Sequence, residues 1–114
     1  RDKMKANKET QDKISQLQLI EQNIQNFLLQ KQTFQNKLFE IDNALSEINN
    51  TKEPVYKIVG SIMVSSTKIE VKKDLESKKE ILNIRIKNLE KQEEKLKEKA
   101  NELQSEVMKE LQKK

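Results

Sequence analysis

Apolar residues return every seven positions through the first half of the chain: Leu17, Ile24, Leu38 and Leu45, with Lys31 the one charged member of the series. A second series, Ile20, Phe27, Phe34, Ile41 and Ile48, follows three residues behind it. Alternating steps of three and four place both series on one stripe of a helix, the seam of a coiled coil. The pattern predicts a helix over about residues 8–50, roughly 65 Å long at 1.5 Å per residue. "INNTKEP" ends it, because Asn49 and Asn50 suit a C-terminal cap and Pro54 forbids continuation. In the second half, Leu75, Leu82, Leu89, Leu96 and Leu103 keep the same period, accompanied by Lys79, Ile86, Glu93, Ala100 and Val107. A second helix is expected over about residues 68–112, with Thr67 and Glu70 spaced as a capping box at its start.

Two helices of nearly equal length with one seam each fold most simply as an antiparallel pair. Centring the fold on Gly60 and Ser61 sets residue i against about residue 121 − i. Leu17 then meets the Leu103 region, Leu38 meets Leu82, and Leu45 meets Leu75. Lys31 and Glu93 fall within about one turn of each other; they either pair and fix the register or both snorkel to solvent. A parallel leucine zipper that grips DNA would need a continuous basic helix before the leucines. "SIMVSSTKIEVKKD" is not one.

Between the helices lies "PVYKIVGSIMVSS", residues 54–66, which holds the only proline, glycine and tyrosine of the chain. It reads as a β-hairpin, with one strand over about Val55 to Val59, the other over about Ser61 to Ser66, and Gly60 in the turn. A hairpin alone is marginal in water and presents unpaired edges. Val55, Ile58, Val59, Ile62 and Val64 make it apolar on both faces, more than a single coiled coil covers. A mere connection would need only about two to eight polar residues. The hairpin is therefore expected to be an assembly device that pairs with other copies into a shared sheet or barrel, through Val55, Tyr56, Ile58, Val59, Gly60, Ile62 and Val64. The expected fold is mainly α: a long antiparallel two-helix coiled coil joined by a single β-hairpin, forming one domain over residues 1–114 and assembling into an oligomeric β-barrel.

Composition narrows the chemistry. The chain has 114 residues, 33% of them hydrophobic and 37% charged, which suits long helices better than a globular core. Cysteine and histidine are both absent, so thiol chemistry, disulfides, the usual zinc sites and histidine acid–base work drop out. Glu93 and Glu94 are the only adjacent carboxylates, and nothing around them resembles a site, so no enzyme is expected. One glycine leaves no phosphate-cradling loop, and no cofactor is expected. The net charge of +4 is spread through alternating lysines and glutamates, as in "EKQEEKLKEKANE", which is a solvated helix face and not a nucleic-acid surface. The apolar run from Ile58 to Val64 is too short for a membrane span. No secretory signal is visible, so the expected location is cytoplasmic, and the start at Arg1 makes a trimmed N-terminus the expectation.

"LLQKQTFQNKL", "NALSEI", "VYKIVGSIMV" and "LESKKEILNIRIKNLEKQEEKLKEK" together resemble the prefoldin family, specifically its archaeal β-type subunits, over about residues 10–112. "VYKIVG" between two coiled-coil helices carries most of the specificity, because heptads alone identify nothing. The single hairpin argues for the β type over the α type, which has two. The resemblance implies a hexamer of two α-type and four β-type subunits joined by their hairpins. It further implies ATP-independent capture of unfolded polypeptides and their delivery to a group II chaperonin. Clients are expected at the open helix ends, where helices fray and where Ile14, Leu19, Met108 and Leu111 lie outside the seam. Methionine suits a promiscuous surface because it adapts its shape. The alternative is a structural coiled-coil spacer or tether without client binding.

Overall fold

The structure is a computed structural model that describes residues 2–112, with side chains described from residue 8 onwards. Helix α1 spans Asp2–Asn50, strand β1 Val55–Val59, strand β2 Ile62–Ser66 and helix α2 Lys68–Gln112. α1 begins earlier than the heptads alone suggest. Lysine, methionine and alanine in its first turns favour helix, and no glycine or proline interrupts them.

Packing divides the chain into two compact units. The first, the free-end unit, joins Arg1–Gln30 to Asn88–Lys114; the second, the hairpin unit, is Lys31–Lys87. Every member of the four seven-residue series is buried or half-buried. In the free-end unit Ile20, Leu89, Leu103 and Val107 are buried; in the hairpin unit Leu82 and Ile86 are. Burying such a side chain fully is worth about 1.5–3 kcal/mol. No described side chain is wholly enclosed, as a two-helix seam has solvent on both flanks. Glu93 is also buried, with its carboxylate 2.9 Å from Lys97, so it does not snorkel.

The antiparallel register holds within each unit. In the hairpin, Val55 opposes Ser66 and Val59 opposes Ile62, so each residue i faces residue 121 − i. Asp42 and Lys79 follow the same rule, with 2.7 Å between their charged atoms. About two turns further along, the Arg85 guanidinium lies 5.9 Å from the centroid of the Phe34 ring, a cation–π distance. In the free-end unit Lys13 reaches Glu106 at 3.3 Å.

The turn between the strands is Gly60-Ser61, so β2 begins at Ile62, one residue later than the apolar pattern suggests. Gly60 has φ +62°, and no described non-glycine residue has positive φ. Glycine with positive φ at the first of two central positions is the type II′ arrangement, whose twist matches that of paired strands.

The junctions around the hairpin differ from expectation. Asn49 and Asn50 remain helical and adopt no left-handed cap. α1 closes with Thr51 N–H donating to the Glu47 carbonyl at 2.9 Å, and Lys68 Nζ of α2 donates to the Thr51 carbonyl. A cation at a helix C-terminus suits both the exposed carbonyls and the macrodipole. At the start of α2, Thr67 Oγ1 accepts from Glu70 N–H at 3.1 Å, which is half of a capping box. The other half is replaced, because the Glu70 carboxylate is taken by Lys57 at 2.6 Å and Ser66 Oγ at 3.0 Å.

Candidate functional site

Two surfaces leave apolar side chains in the open. In the free-end unit, the seam continues beyond Leu17 and Leu103 by one polar layer. Heptad spacing places Thr10 and Lys13 of α1 and Glu110 of α2 at seam positions, and all three are buried or half-buried. Thr10 Oγ1 donates to one carboxylate oxygen of Glu110, and Lys13 Nζ donates to the other at 2.5 Å. The hydrogen bond to Glu110, with Glu106 beside it, holds the Lys13 ammonium above the usual lysine range. The layer adds polar groups to the seam, next to buried Ile20, Leu103 and Val107.

Around that layer, Ile14, Leu19, Met108 and Leu111 are all exposed. They do not share one face. Ile14 follows Lys13 and Leu111 follows Glu110, and those two seam residues are bonded to each other. In antiparallel helices the residue after each member of a facing pair turns to the same side of the seam. Ile14 and Leu111 therefore flank it together. Met108, three residues before Leu111, sits about 60° from it on the same helix side. Leu19 is five residues from Ile14, about 140° round α1, and lies on the opposite flank. The rim is thus a trio, with Leu19 apart.

In the hairpin unit the two strands have unlike faces. Val55, Lys57, Val64 and Ser66 are half-buried and form one face with Val59 and Ile62, which are exposed near the turn. Lys57 ties this face to the first turn of α2 through Glu70. The bond from Lys57, helped by Ser66, holds the Glu70 carboxyl below the usual carboxylate range, and the same bond raises Lys57. The opposite face carries Tyr56, Ile58 and Met63, all exposed, with Ile58 directly across from Met63. Ile58 is 72% exposed and Met63 67%, so this face has no cover among the described residues. Met63 escaped the sequence reading, although alternation from Ile62 and Val64 sets it beside Ile58. The sheet has two strands among the described residues, which leaves one open edge on each. Val55 and Val64, expected at the assembly surface, lie on the face turned to the helices.

No described helix is long and apolar enough to cross a membrane. The family described as "Prefoldin subunit" matches residues 11–114. A prefoldin subunit beta of Archaeoglobus fulgidus is 39% identical over 88 residues, covering 75% of this chain and 76% of that one. One from Saccharolobus islandicus is 37% identical over 87 residues, covering 75% and 69%. The crystal structure of the prefoldin beta subunit from Thermococcus strain KS-1 superposes with a TM-score of 0.83 at 37% identity, covering 89% of this chain and 90% of that one. The beta2 subunit from the same strain shares the fold, with a TM-score of 0.70 at 19% identity over 78% of this chain and 97% of that one.

Proposed function

The chain belongs to the prefoldin family, a chaperone family, and from that premise we propose that it is a holding subunit. It captures unfolded polypeptides at its helix ends without ATP and passes them to a group II chaperonin. The observation that carries this reading is the exposed trio of Ile14, Met108 and Leu111 beside a polar-closed seam. Those side chains are apolar, are not needed by the seam, and sit among lysines and glutamates that keep a free end soluble. Such a contact suits clients of varied sequence, because apolar attraction is non-directional. One rim holds an unfolded chain weakly. Several rims on one particle act together, since linked sites raise avidity by about 10²–10⁴.

Multiple rims require assembly, and the hairpin supplies a surface for it. Its open edges and its Tyr56, Ile58 and Met63 face suit pairing with hairpins of other subunits, in a cytoplasmic hexamer of two α-type and four β-type chains. The test is suppression of light scattering by a denatured protein diluted into the assembled chaperone. Ile14→Ser, Met108→Ser and Leu111→Ser together should remove most of the protection while particle mass and helicity hold. Leu19→Ser alone should cost little. Full protection by the three-serine variant in a particle of normal mass would place clients elsewhere.

A further inference from the structure

In the hairpin unit, α1 and α2 line an open groove of about 370 Å³. Ile41, Ile81 and Leu82 form its apolar floor, and Lys37, Lys78 and Arg85 stand around it with a single carboxylate, Glu40. Ile41 and Leu82 belong to the seam, whereas Ile81 lies outside it and is 52% exposed. Ile84, three residues on and 54% exposed, extends the apolar surface along α2. Two open isoleucines a turn apart need a reason, because neither contributes to the seam.

The charges around them supply one. Among the described residues, Lys37, Lys78 and Arg85 take part in no ion pair, although Lys57 and Lys79 of the same unit are matched to Glu70 and Asp42. The Phe34 ring beneath the Arg85 guanidinium holds that side chain beside the groove. We propose that this groove docks an acidic amphipathic segment of another protein. The segment's apolar side chains cover Ile81 and Ile84, and its carboxylates meet Lys37, Lys78 and Arg85. The apolar floor removes area from water, which supplies affinity. The cations orient the segment and speed its approach, with Arg85 able to grip a carboxylate through two parallel N–H bonds. A basic segment of the same shape would meet like charge on three sides. The proposal is independent of client capture at the free-end rim, since it uses none of the rim residues.

The test uses the full chain and a fluorescently labelled peptide with leucines on one helical face flanked by glutamates. The control peptide has lysines in place of the glutamates. Anisotropy titrations should show binding of the acidic peptide, weakened by salt, and none of the basic one. Lys37→Glu with Lys78→Glu should weaken binding by about tenfold or more, as should Ile81→Ser. All three positions are exposed, so circular dichroism should be unchanged. Equal binding of both peptides overturns the proposal, because the cations would then select nothing. Binding that survives both variants overturns it too, as does a failure of the acidic peptide to bind, whether the groove stays open or a second copy of the chain covers it in solution.

Discussion

The free-end unit and the hairpin unit each contain an antiparallel seam, yet they expose apolar surface in different ways. In the free-end unit the exposed residues are scattered around two helices and a polar layer closes the seam beside them. In the hairpin unit Tyr56, Ile58 and Met63 lie together on one sheet face, next to backbone edges left open among the described residues. Scattered apolar side chains without backbone donors favour loose and adaptable contacts. A flat apolar face with open edges favours one defined, lasting partner, because strand pairing is directional and register-dependent. Under the function proposed above, transient binding falls to the first unit and lasting assembly to the second.

The sharpest way to break that comparison is to remove the sheet face. Ile58→Lys with Met63→Lys leaves the strands, the Gly60 turn and both seams in place. It sets charge on the face that pairing would bury, where each uncompensated charge costs several kcal/mol. The particle should fall apart into small species by light scattering, while circular dichroism retains most of the helix signal. A particle of unchanged mass would show that the hairpin does not hold subunits together.

A smaller effect separates seam from rim inside the free-end unit. Leu103 is buried and Leu19 is 61% exposed. Leu103→Ala should destabilise the helix pair by about 2 kcal/mol, the low end for a leucine truncation because the seam is open on its flanks. Leu19→Ser should stay within about 0.5 kcal/mol, as for most surface changes. Urea titrations of the two variants at equal concentration measure both. Equal losses would mean that the seam is misplaced.

Legibility in the sequence followed how local each feature is. The heptads were readable because a helix repeats its facing residues at fixed steps, and every expected seam member is buried or half-buried. The hairpin was readable from proline, glycine and β-branched residues packed into a short span. The polar layer was not, because polar residues at heptad spacing near a helix terminus look like any solvated helix face. Thr10, Lys13 and Glu110 continue the spacing but not the chemistry. Lys68 as the cap of α1 was invisible, since it depends on two helices meeting. The separation of Leu19 from Ile14 was available in the five-residue gap and required only the helical angle. Glu70 illustrates competition. Its spacing from Thr67 is that of a capping box, but a lysine brought in by β1 takes the carboxylate instead.

That competition sets the smallest expected effect. Lys57 and Glu70 tie the half-buried face of the hairpin to α2, with Ser66 as a second donor to the same carboxylate. Because Lys57 and Ser66 depress the Glu70 pKa in the folded chain, the tie contributes fully above the ordinary carboxylate value of about 4.3. The contribution fades as pH falls through the lower, folded value, where the carboxyl takes up a proton. The sign for Lys57 is opposite: its raised pKa keeps the tie intact below the ordinary lysine value and loses it only as pH rises through the folded one. Near neutrality both partners are charged, so acid is the accessible test. Lys57 is half-buried and Glu70 exposed, so water still screens the pair and the effect is small. Glu70→Gln removes the charge but retains a side chain of similar size. Thermal melts should show a slightly lower midpoint for this variant at neutral pH. The gap should close as the pH is lowered past the point where wild-type Glu70 is protonated, because the two chains then carry the same charge at that position. The remaining carboxylates titrate alike in both and cancel in the difference. A gap that stays constant into acid would mean that Glu70 acts by its shape alone, and that the hairpin is held to α2 by Val55, Val64 and the half-buried face instead of by the ionic tie.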